Sequence, residues 1–315
     1  MPPTASTARK SENRHPSDRE ILIIGGCHMD VLGRSTGRFE PGTSCPGVIS
    51  HKPGGVARNV ASLLARAGAP VRFSSVVGDD ETGRALIEAL RQARIETSDI
   101  LALRGRRTGS YLAIHDERGE LVAAVSDLSI YDDYALPADL WTGHSGLAFA
   151  DANIPGACIR DLADRFGASL CVDAISRAKA PKLRAILGSE ALLVANLPSV
   201  CALLDETLPT ARQAAEKLAA AGATRAVISA GSAPLAVLDQ GEITEFHPRA
   251  VTVVDVTGTG DAQIAGLLLA RLAGHGLTHA VTLGMQAARA ALGCAGALER
   301  LPSDLITEAG WPSPS

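Results

Sequence analysis

The sequence is poor in aromatic residues, which make up only 3% of its 315 residues. Single-stranded nucleic acids are commonly held by aromatic side chains that stack on the bases, so the composition argues against such a partner. The formal net charge of −4 and the lack of a long basic run argue against both a nucleic-acid and an anionic-membrane surface. A core must be built from aliphatic side chains, and the 46% of hydrophobic residues suffice for one.

Membrane spans, paired cysteines and a signal peptide are also missing from the sequence. Arg271 and Arg289 interrupt the two best apolar runs before they reach membrane length. None of the six cysteines belongs to a C-x-x-C pair, which favours free thiols in a reducing compartment and hence a cytoplasmic protein. Residues 1–18 are rich in Pro, Ser, Thr and charge, and we expect a disordered tail there.

Short apolar runs alternate with helical patterns along most of the chain, beginning at residues 21–24. Continuous apolar runs of this kind are typical of strands buried on both faces of a parallel sheet. The alternation breaks at residues 33–52 and 108–127, where β-type patterns predict a small separate sheet. The sequence therefore predicts one α/β domain over residues 19–315, with a doubly wound, mainly parallel sheet and a small β-sheet lid over the ligand site.

A strand, a glycine turn and an apolar helix are predicted near the C-terminus. We expect residues 251–254 to end a buried strand, residues 257–260 to form the turn and residues 262–273 to form the helix. The glycines and the helix N-terminus would point N–H groups into one concavity that suits an anion. Asp261 at its lip is either a general base for an attacking hydroxyl or simply a helix cap, and this motif alone does not decide between them.

A second glycine motif near the N-terminus favours a ligand site. Asp30 lies just past the first predicted strand, where open α/β sheets bind ligands, although it could also be a solvated loop carboxylate. Gly54 and Gly55 would let a ligand approach the backbone, and Asn59 faces back toward them from the next helix. The Asn amide can donate to and accept from hydroxyl groups. The glycines do not spell G-x-G-x-x-G, which argues against a nicotinamide-dependent oxidoreductase.

Residues 54–59 (GGVARN) and 255–261 (DVTGTGD) together resemble the two signatures of the ribokinase-like (PfkB) carbohydrate kinases. Their order and spacing also match, and the resemblance covers roughly residues 20–310. Within that family, residues 46–59, 110–131 and 173–180 are most similar to the pseudouridine kinases. The resemblance implies an ATP-dependent kinase acting on the 5′-hydroxyl of a ribosyl substrate, above all pseudouridine. Ribose, adenosine or a hexose remain open as substrates, and a degenerate protein that binds a nucleoside without turnover is the alternative from another class.

The resemblance also implies roles for individual residues. Asp261 would be the general base, and the anion hole for the γ-phosphate would be formed by the N–H groups of Gly258, Thr259 and Gly260. The predicted substrate-binding residues are Asp30, Gly54, Gly55 and Asn59 at the ribose, with Asp127 and Lys179 at the base. The nucleotide would be bound by Asn196, Ser229, Gly231 and Thr257. Mg²⁺ is implied near Asn196, a monovalent cation such as K⁺ near Asp255, and a homodimer formed through the lid.

The chain departs from the family pattern at three positions. Ser199 stands where a Glu usually helps to organise Mg²⁺, and Pro234 replaces a second glycine of the nucleotide loop. Ala174 follows Asp173 where a proline is common. The first departure bears on the metal arrangement and the second on nucleotide preference, while Asp261 and the anion hole are intact.

Overall fold

A computed structural model describes residues 20–140, 142, 144 and 146–312, and it contains two β-sheets flanked by helices. The predicted tail at residues 1–18 lies outside these residues. The strands are β1 (Ile21–Ile24), β2 (His28–Ser35), β3 (Gly47–Gly54), β4 (Val71–Gly78), β5 (Ile100–Leu103), β6 (Ser110–His115), β7 (Leu121–Asp127), β8 (Leu147–Asp151), β9 (Leu170–Asp173), β10 (Leu192–Asn196), β11 (Arg225–Ala230), β12 (Ala233–Asp239) and β13 (Glu242–Phe246). The α-helices are α1 (Val56–Arg66), α2 (Glu81–Gln92), α3 (Gly156–Phe166), α4 (Leu197–Leu204), α5 (Ala211–Ala220), α6 (Thr259–Leu272), α7 (Leu277–Leu292) and α8 (Ser303–Glu308).

The large sheet has nine strands in the order β13-β12-β11-β10-β9-β8-β1-β4-β5. Its strands pair in parallel except at one end, where β11, β12 and β13 pair antiparallel. The central strand β1 is buried along its whole length, as its uninterrupted apolar run predicts. The doubly wound, mainly parallel sheet is therefore confirmed.

Helices cover both faces of this sheet, and alternate residues of β1 enter two different cores. Ile21 and Ile23 pack in the core beneath α1, α6 and α7, whereas Leu22 and Ile24 pack in the core beneath α3 and α5. Because consecutive side chains of a strand point to opposite faces, a strand between two helical layers must be apolar throughout. This arrangement brings the carboxyl ends of β1, β8, β9, β10 and β11 to one edge of the sheet.

The second sheet has four strands in the order β3-β2-β6-β7, and we call it the lid sheet. It confirms the predicted small sheet, although β2 begins earlier and β3 ends later than expected. As a result Asp30 and Gly54 lie within strands β2 and β3 rather than in loops beside them. Asp30 shares a register row with Tyr111 and Ser126, so these three side chains are on the same face of the lid sheet.

Two details of the C-terminal motif differ from the prediction. The expected strand at residues 251–254 is wrong, because this segment is irregular and pairs with no strand. Val253 and Val254 are more than half exposed, and Val254 N–H instead donates to the Leu292 carbonyl at the end of α7. Helix α6 begins at Thr259, three residues before the predicted start, so Asp261 lies within its first turn.

Candidate active site

Helix α6 begins at the predicted glycine turn. Gly258 is its N-cap with a φ of 72°, a left-handed conformation that favours glycine, and a Cβ there would come within 2.8 Å of the Ala297 side chain. A Cβ at Gly260 would meet no atom within 4 Å, so there is open space beside the first turn. No side chain caps this end of α6, and helix geometry leaves its first N–H groups without intrahelical acceptors. The first turn can therefore bind an anion.

Thr259 is the first residue of α6 and lines the groove beside it. Its N–H donates to the Val256 carbonyl at 3.3 Å, a weak bond that reduces its value as an anion donor. Its Oγ1 is closed to solvent and has no hydrogen-bond partner among the described residues. The N–H groups of the first turn are therefore the donors that face an anion.

Asp255 and Thr257 hold the segment before the turn in place. The N–H and hydroxyl groups of Thr257 donate to Asp255 Oδ1 at 2.8 and 2.7 Å, and Gly296 N–H donates to Oδ2 at 2.9 Å. The bonds from Thr257 are the main reason that the pKa of Asp255 is lowered. The contacts of Asp255 thus order the turn, and both of its oxygens already accept hydrogen bonds from the protein.

Asp261 is hydrogen-bonded to the residue predicted from the other glycine motif. Asn59, in the second turn of α1, donates from Nδ2 to Asp261 Oδ2 at 2.5 Å. Burial raises the pKa of Asp261 to about 6, although the Asn59 bond and the charge of Arg58 oppose this shift. The two distant motifs therefore meet at one carboxylate whose pKa suits a general base near neutral pH.

Arg58 is a site residue that the sequence analysis missed. Its guanidinium donates to the Pro53 carbonyl, and its charge acts on both Asp261 and Asp30. Burial is the main cause of its lowered pKa, but a guanidinium remains protonated at any physiological pH. Arg58 thus supplies a fixed positive charge between two acidic groups. Its position between the glycine pair and Asn59 was the only available signal in the sequence.

The glycine pair is required by contacts within the protein itself. A Cβ at Gly54 would come within 2.3 Å of the Asp30 carboxylate, and one at Gly55 within 2.2 Å of the Gly26 carbonyl oxygen. Gly55 also has a φ of 103°, which other residues rarely adopt. From the sequence alone, these glycines are predicted to leave space for a ligand. The structure shows that they first allow β3 and α1 to approach β1 and Asp30.

Asp151, at the end of β8, is a second residue that the sequence analysis did not single out as part of the site. Its fully buried carboxylate accepts hydrogen bonds from the N–H groups of Gly26, Ala57 and Asn153 and from the Asn153 side chain, all at 3.0–3.2 Å. Helix α1 lacks a cap of its own, because its N-cap is Gly55. Asp151 thus caps α1 from another strand and fixes the helix that carries Arg58 and Asn59.

The two residues predicted at the base lie in different places. Lys179 donates from Nζ to the buried Asn153 side chain, and burial is the main cause of its lowered pKa. Asp127 is exposed at the end of β7, and its register row places it on the face of the lid sheet opposite to Asp30. The structure therefore connects Lys179 to the Asp151 network and does not bring Asp127 to the face that carries Asp30. Ser126, one residue earlier, is on that face.

Three of the four predicted nucleotide residues line one groove of about 920 Å³ beside the start of α6, whereas Thr257 does not line it. Its walls include Asn196, Ser229 and Gly231 together with Thr259 and Gly260 of the glycine turn. Asn196 caps α4 by accepting from Ser199 N–H at 2.9 Å, so its amide N–H groups are the part left for a ligand. The groove is large enough for a nucleotide and opens onto the anion site.

The residues near this groove could bind Mg²⁺ only together with the phosphate groups of a bound nucleotide. No group of three or more His, Cys, Asp or Glu side chains in the described part of the chain is arranged to hold a metal ion. Ser199 Oγ is buried without a hydrogen-bond partner among the described residues, and Ser199 does not line the groove. Mg²⁺ usually binds through few protein ligands, several waters and substrate phosphates, which is compatible with this arrangement.

The sequence matches the pfkB family of carbohydrate kinases over residues 18–304. The chain belongs to this family. It is 30% identical over 286 residues to the pseudouridine kinase of Escherichia coli strain K12, covering 87% of this chain and 90% of that protein. Like other pfkB kinases, it is a phosphotransferase that acts on a hydroxyl group of a sugar or nucleoside, with ATP as the family's phosphate donor.

Solved structures of pfkB-type kinases agree with this assignment. A carbohydrate kinase from Agrobacterium tumefaciens superposes with a TM-score of 0.81 and 31% identity, over 94% of this chain and 98% of that one. Arabidopsis thaliana ribokinase, solved with ribose and ATP, superposes with a TM-score of 0.80 over 92% of this chain and 98% of its own. At 18% identity, the ribokinase likeness concerns the fold alone. Within the described residues, no helix is long and apolar enough to cross a membrane.

Proposed function

We propose that the protein transfers the γ-phosphate of ATP to the 5′-hydroxyl group of pseudouridine. The observation that carries the kinase chemistry is the hydrogen bond between Asn59 and Asp261 at the start of α6, because it joins the substrate side to the anion site. The finer assignment is supported by the similarity to pseudouridine kinase along nearly the whole chain. Residues 19–315 would act as one kinase domain, with the lid sheet covering the ribose.

Each residue of the site has a role in this proposal. Asp30 and Asn59 hold ribose hydroxyls, and Asp261 accepts the proton of the attacking 5′-hydroxyl. The first turn of α6, with residues 258–260, receives the γ-phosphate and stabilises its charge during transfer. The positive charge of Arg58 lowers the pKa of Asp261 and so opposes the effect of burial on this carboxylate. The nucleotide lies in the groove bounded by Asn196, Ser229 and Gly231.

Mg²⁺ would enter with the nucleotide and neutralise charge on its phosphates. Asn196 lines the groove and is the described residue that would lie nearest to the metal-bound phosphates, whereas the Ser199 hydroxyl is closed to solvent. Asp255 remains the proposed neighbour of a monovalent cation, although its two oxygens already accept hydrogen bonds. All six cysteines are free, which supports a reducing, cytoplasmic location.

Recognition of the base is assigned to Lys179, with Ser126 preferred over Asp127. Lys179 is anchored on Asn153 at the carboxyl edge of the sheet and can donate to a ring carbonyl. Ser126 is on the lid face that carries Asp30, whereas Asp127 is on the other face. Pseudouridine has one more ring N–H than uridine, and a hydroxyl or carboxylate could accept from it.

The deciding experiment compares kcat/KM for pseudouridine, uridine, adenosine, ribose and fructose at fixed ATP and Mg²⁺. A site built to bond a group can reject an analogue that lacks it by up to about 10⁴–10⁵-fold. We expect pseudouridine to be the best substrate and uridine to be much poorer. A preference for ribose, adenosine or fructose would overturn the substrate assignment and leave the kinase intact.

A further inference from the structure

Asp30 is the terminal group of a chain of contacts that starts in the segment following the lid sheet. Tyr131 lies in a 3₁₀ turn, Ser129–Asp133, directly after strand β7. Its hydroxyl oxygen accepts from Cys27 N–H at 2.7 Å and lies 3.2 Å from His28 Nδ1. On the other side of the imidazole ring, His28 Nε2 lies 3.4 Å from Asp30 Oδ1. The contacts thus run from Cys27 through Tyr131 and His28 to Asp30.

The partners of Tyr131 determine which way its proton points. The side chain is only 2% exposed, and burial raises its pKa well above the ordinary value, so the hydroxyl remains protonated. Its oxygen already accepts from Cys27 N–H, so its own proton needs an acceptor. The acceptor that the structure places beside it is His28 Nδ1.

This direction fixes the tautomer of His28. If Nδ1 accepts from Tyr131, the proton of the neutral ring is on Nε2, which faces the Asp30 carboxylate. The opposite tautomer would place the Nε2 lone pair against a carboxylate oxygen and leave the Tyr131 proton without an acceptor. Asp30 is confined further by the backbone of Gly54, where even a Cβ would collide with the carboxylate. Its Oδ1 therefore faces His28, which leaves Oδ2 for a ligand.

We propose that Tyr131 and His28 are positioning residues, in which Tyr131 sets the His28 tautomer and His28 orients the Asp30 carboxylate for a substrate hydroxyl. This inference rests on the proposed role of Asp30 in holding the ribose. It assigns a task to two residues that do not themselves touch the reacting atoms. Because Tyr131 follows β7, the orientation of Asp30 depends on the segment that ends the lid sheet.

The first test examines the contacts without any substrate. Long-range ¹H–¹⁵N spectra of the imidazole rings distinguish the two tautomers, and the His28 signals are assigned by their loss in His28→Gln. We expect the Nε2–H form in the wild type, a mixture of tautomers in Tyr131→Phe, and shifted His28 signals in Asp30→Asn. An Nδ1–H form in the wild type, or His28 signals indifferent to both substitutions, would overturn the proposal.

The second test separates orientation from stability by comparing two amides at position 28. Glutamine can place an N–H near the position of Nε2, whereas asparagine reaches only that of Nδ1. We expect His28→Asn to raise the dissociation constant and KM of the nucleoside about 10-fold or more, because the polar contact of His28 Nε2 with the charged Asp30 carboxylate is lost. In His28→Gln most of the affinity should return. The kcat, the KM for ATP and the unfolding midpoint should be similar in the two variants.

Equal nucleoside affinity in the Gln and Asn variants would refute the positioning role of His28. Failure of the proposed function has a different signature. If the wild-type enzyme phosphorylates fructose but no ribosyl compound, the ribose assignment fails. The imidazole spectra still decide in that case whether Tyr131 and His28 orient Asp30.

Discussion

At the scale of single residues, the proposed chemistry depends most on Asp261 as the general base. Replacing it with Asn keeps the size of the side chain and a carbonyl oxygen that can accept from Asn59, but removes the basic oxygen. We expect Asp261→Asn to lower kcat by about 10²–10⁴-fold, the usual effect of losing a general base. Substrate affinity, measured by calorimetry, should change little. Retention of near wild-type kcat would show that Asp261 is not the general base.

The acid limb of the rate profile should report the titration of Asp261. Because the base must be deprotonated and its pKa is raised to about 6, kcat/KM should fall as the pH drops through this value. The charge of Arg58 lowers this pKa, so Arg58→Met should move the limb to higher pH. Arg66→Met, at the exposed end of the same helix, is the matched control and should leave the limb in place. A midpoint that is unchanged or lower in Arg58→Met would contradict this electrostatic role.

The residues missed in the sequence act through contacts that no local pattern reveals. Asp151 is 94 positions from Ala57, whose N–H it accepts, and Tyr131 is 104 positions from Cys27. Asp261 and Asn59 could be predicted because each lies beside a glycine motif, and Asp30 because it follows the carboxyl end of the first buried strand. Asp151 ends an ordinary apolar strand, and its importance comes from what the fold places around it.

At the scale of elements, the junction between β3 and α1 depends on one glycine. Gly55 has a φ of 103°, and a Cβ at this position would lie only 2.2 Å from the Gly26 carbonyl oxygen. Because that oxygen belongs to the backbone, it cannot move away without distorting the chain. We expect Gly55→Ala to lower the free energy of unfolding by more than about 1–3 kcal/mol. Gly37→Ala is the control, since a Cβ there would meet nothing within 4 Å. Urea denaturation compares the two, and equal stability would contradict this account of Gly55.

Strands and helices could be predicted from the sequence where the apolar pattern is compatible with only one type of secondary structure. The buried strands β1, β4 and β8 and the helices between them follow from continuous apolar runs and helical periodicity. Residues 251–254 have the same apolar character, yet they pair with no strand, and Val254 N–H donates to the end of α7 instead. A run of valines shows β-propensity, but strand formation also needs a partner edge. Helix α4 was missed because it follows β10 directly, with no loop between them.

At the scale of the whole molecule, the lid sheet has two chemically different faces. One face carries Asp30 and Ser126 toward the site. The other face exposes Leu112 and Val125, which pair in one register row, and Ile49, which lies in the next row on the same face. Ile49 on β3 and Val125 on β7, the two edge strands of this sheet, are 69% and 64% exposed, which is unusual for large aliphatic side chains on one face of a β-sheet. Such a face is costly in water and typical of an interaction surface. A homodimer formed through this surface remains our proposal for its occupant.

The dimer can be tested by placing a charge on this face. We expect the wild type to elute as a dimer in size-exclusion chromatography with light scattering, and Val125→Lys to shift it toward the monomer, because a buried unpaired ammonium opposes association. Val253→Lys is the matched control, since Val253 is a valine of similar exposure far from the lid sheet in sequence. It should leave the dimer intact. If the wild type is a monomer at micromolar concentration, or if both variants dissociate equally, the lid sheet is not the interface.

The same variant also has an expected kinetic effect. If the lid of one subunit supports that of its partner, Val125→Lys should raise the KM for the nucleoside, because Asp30 lies on the lid sheet. The KM for ATP should be unchanged, because the nucleotide groove lies outside the lid sheet.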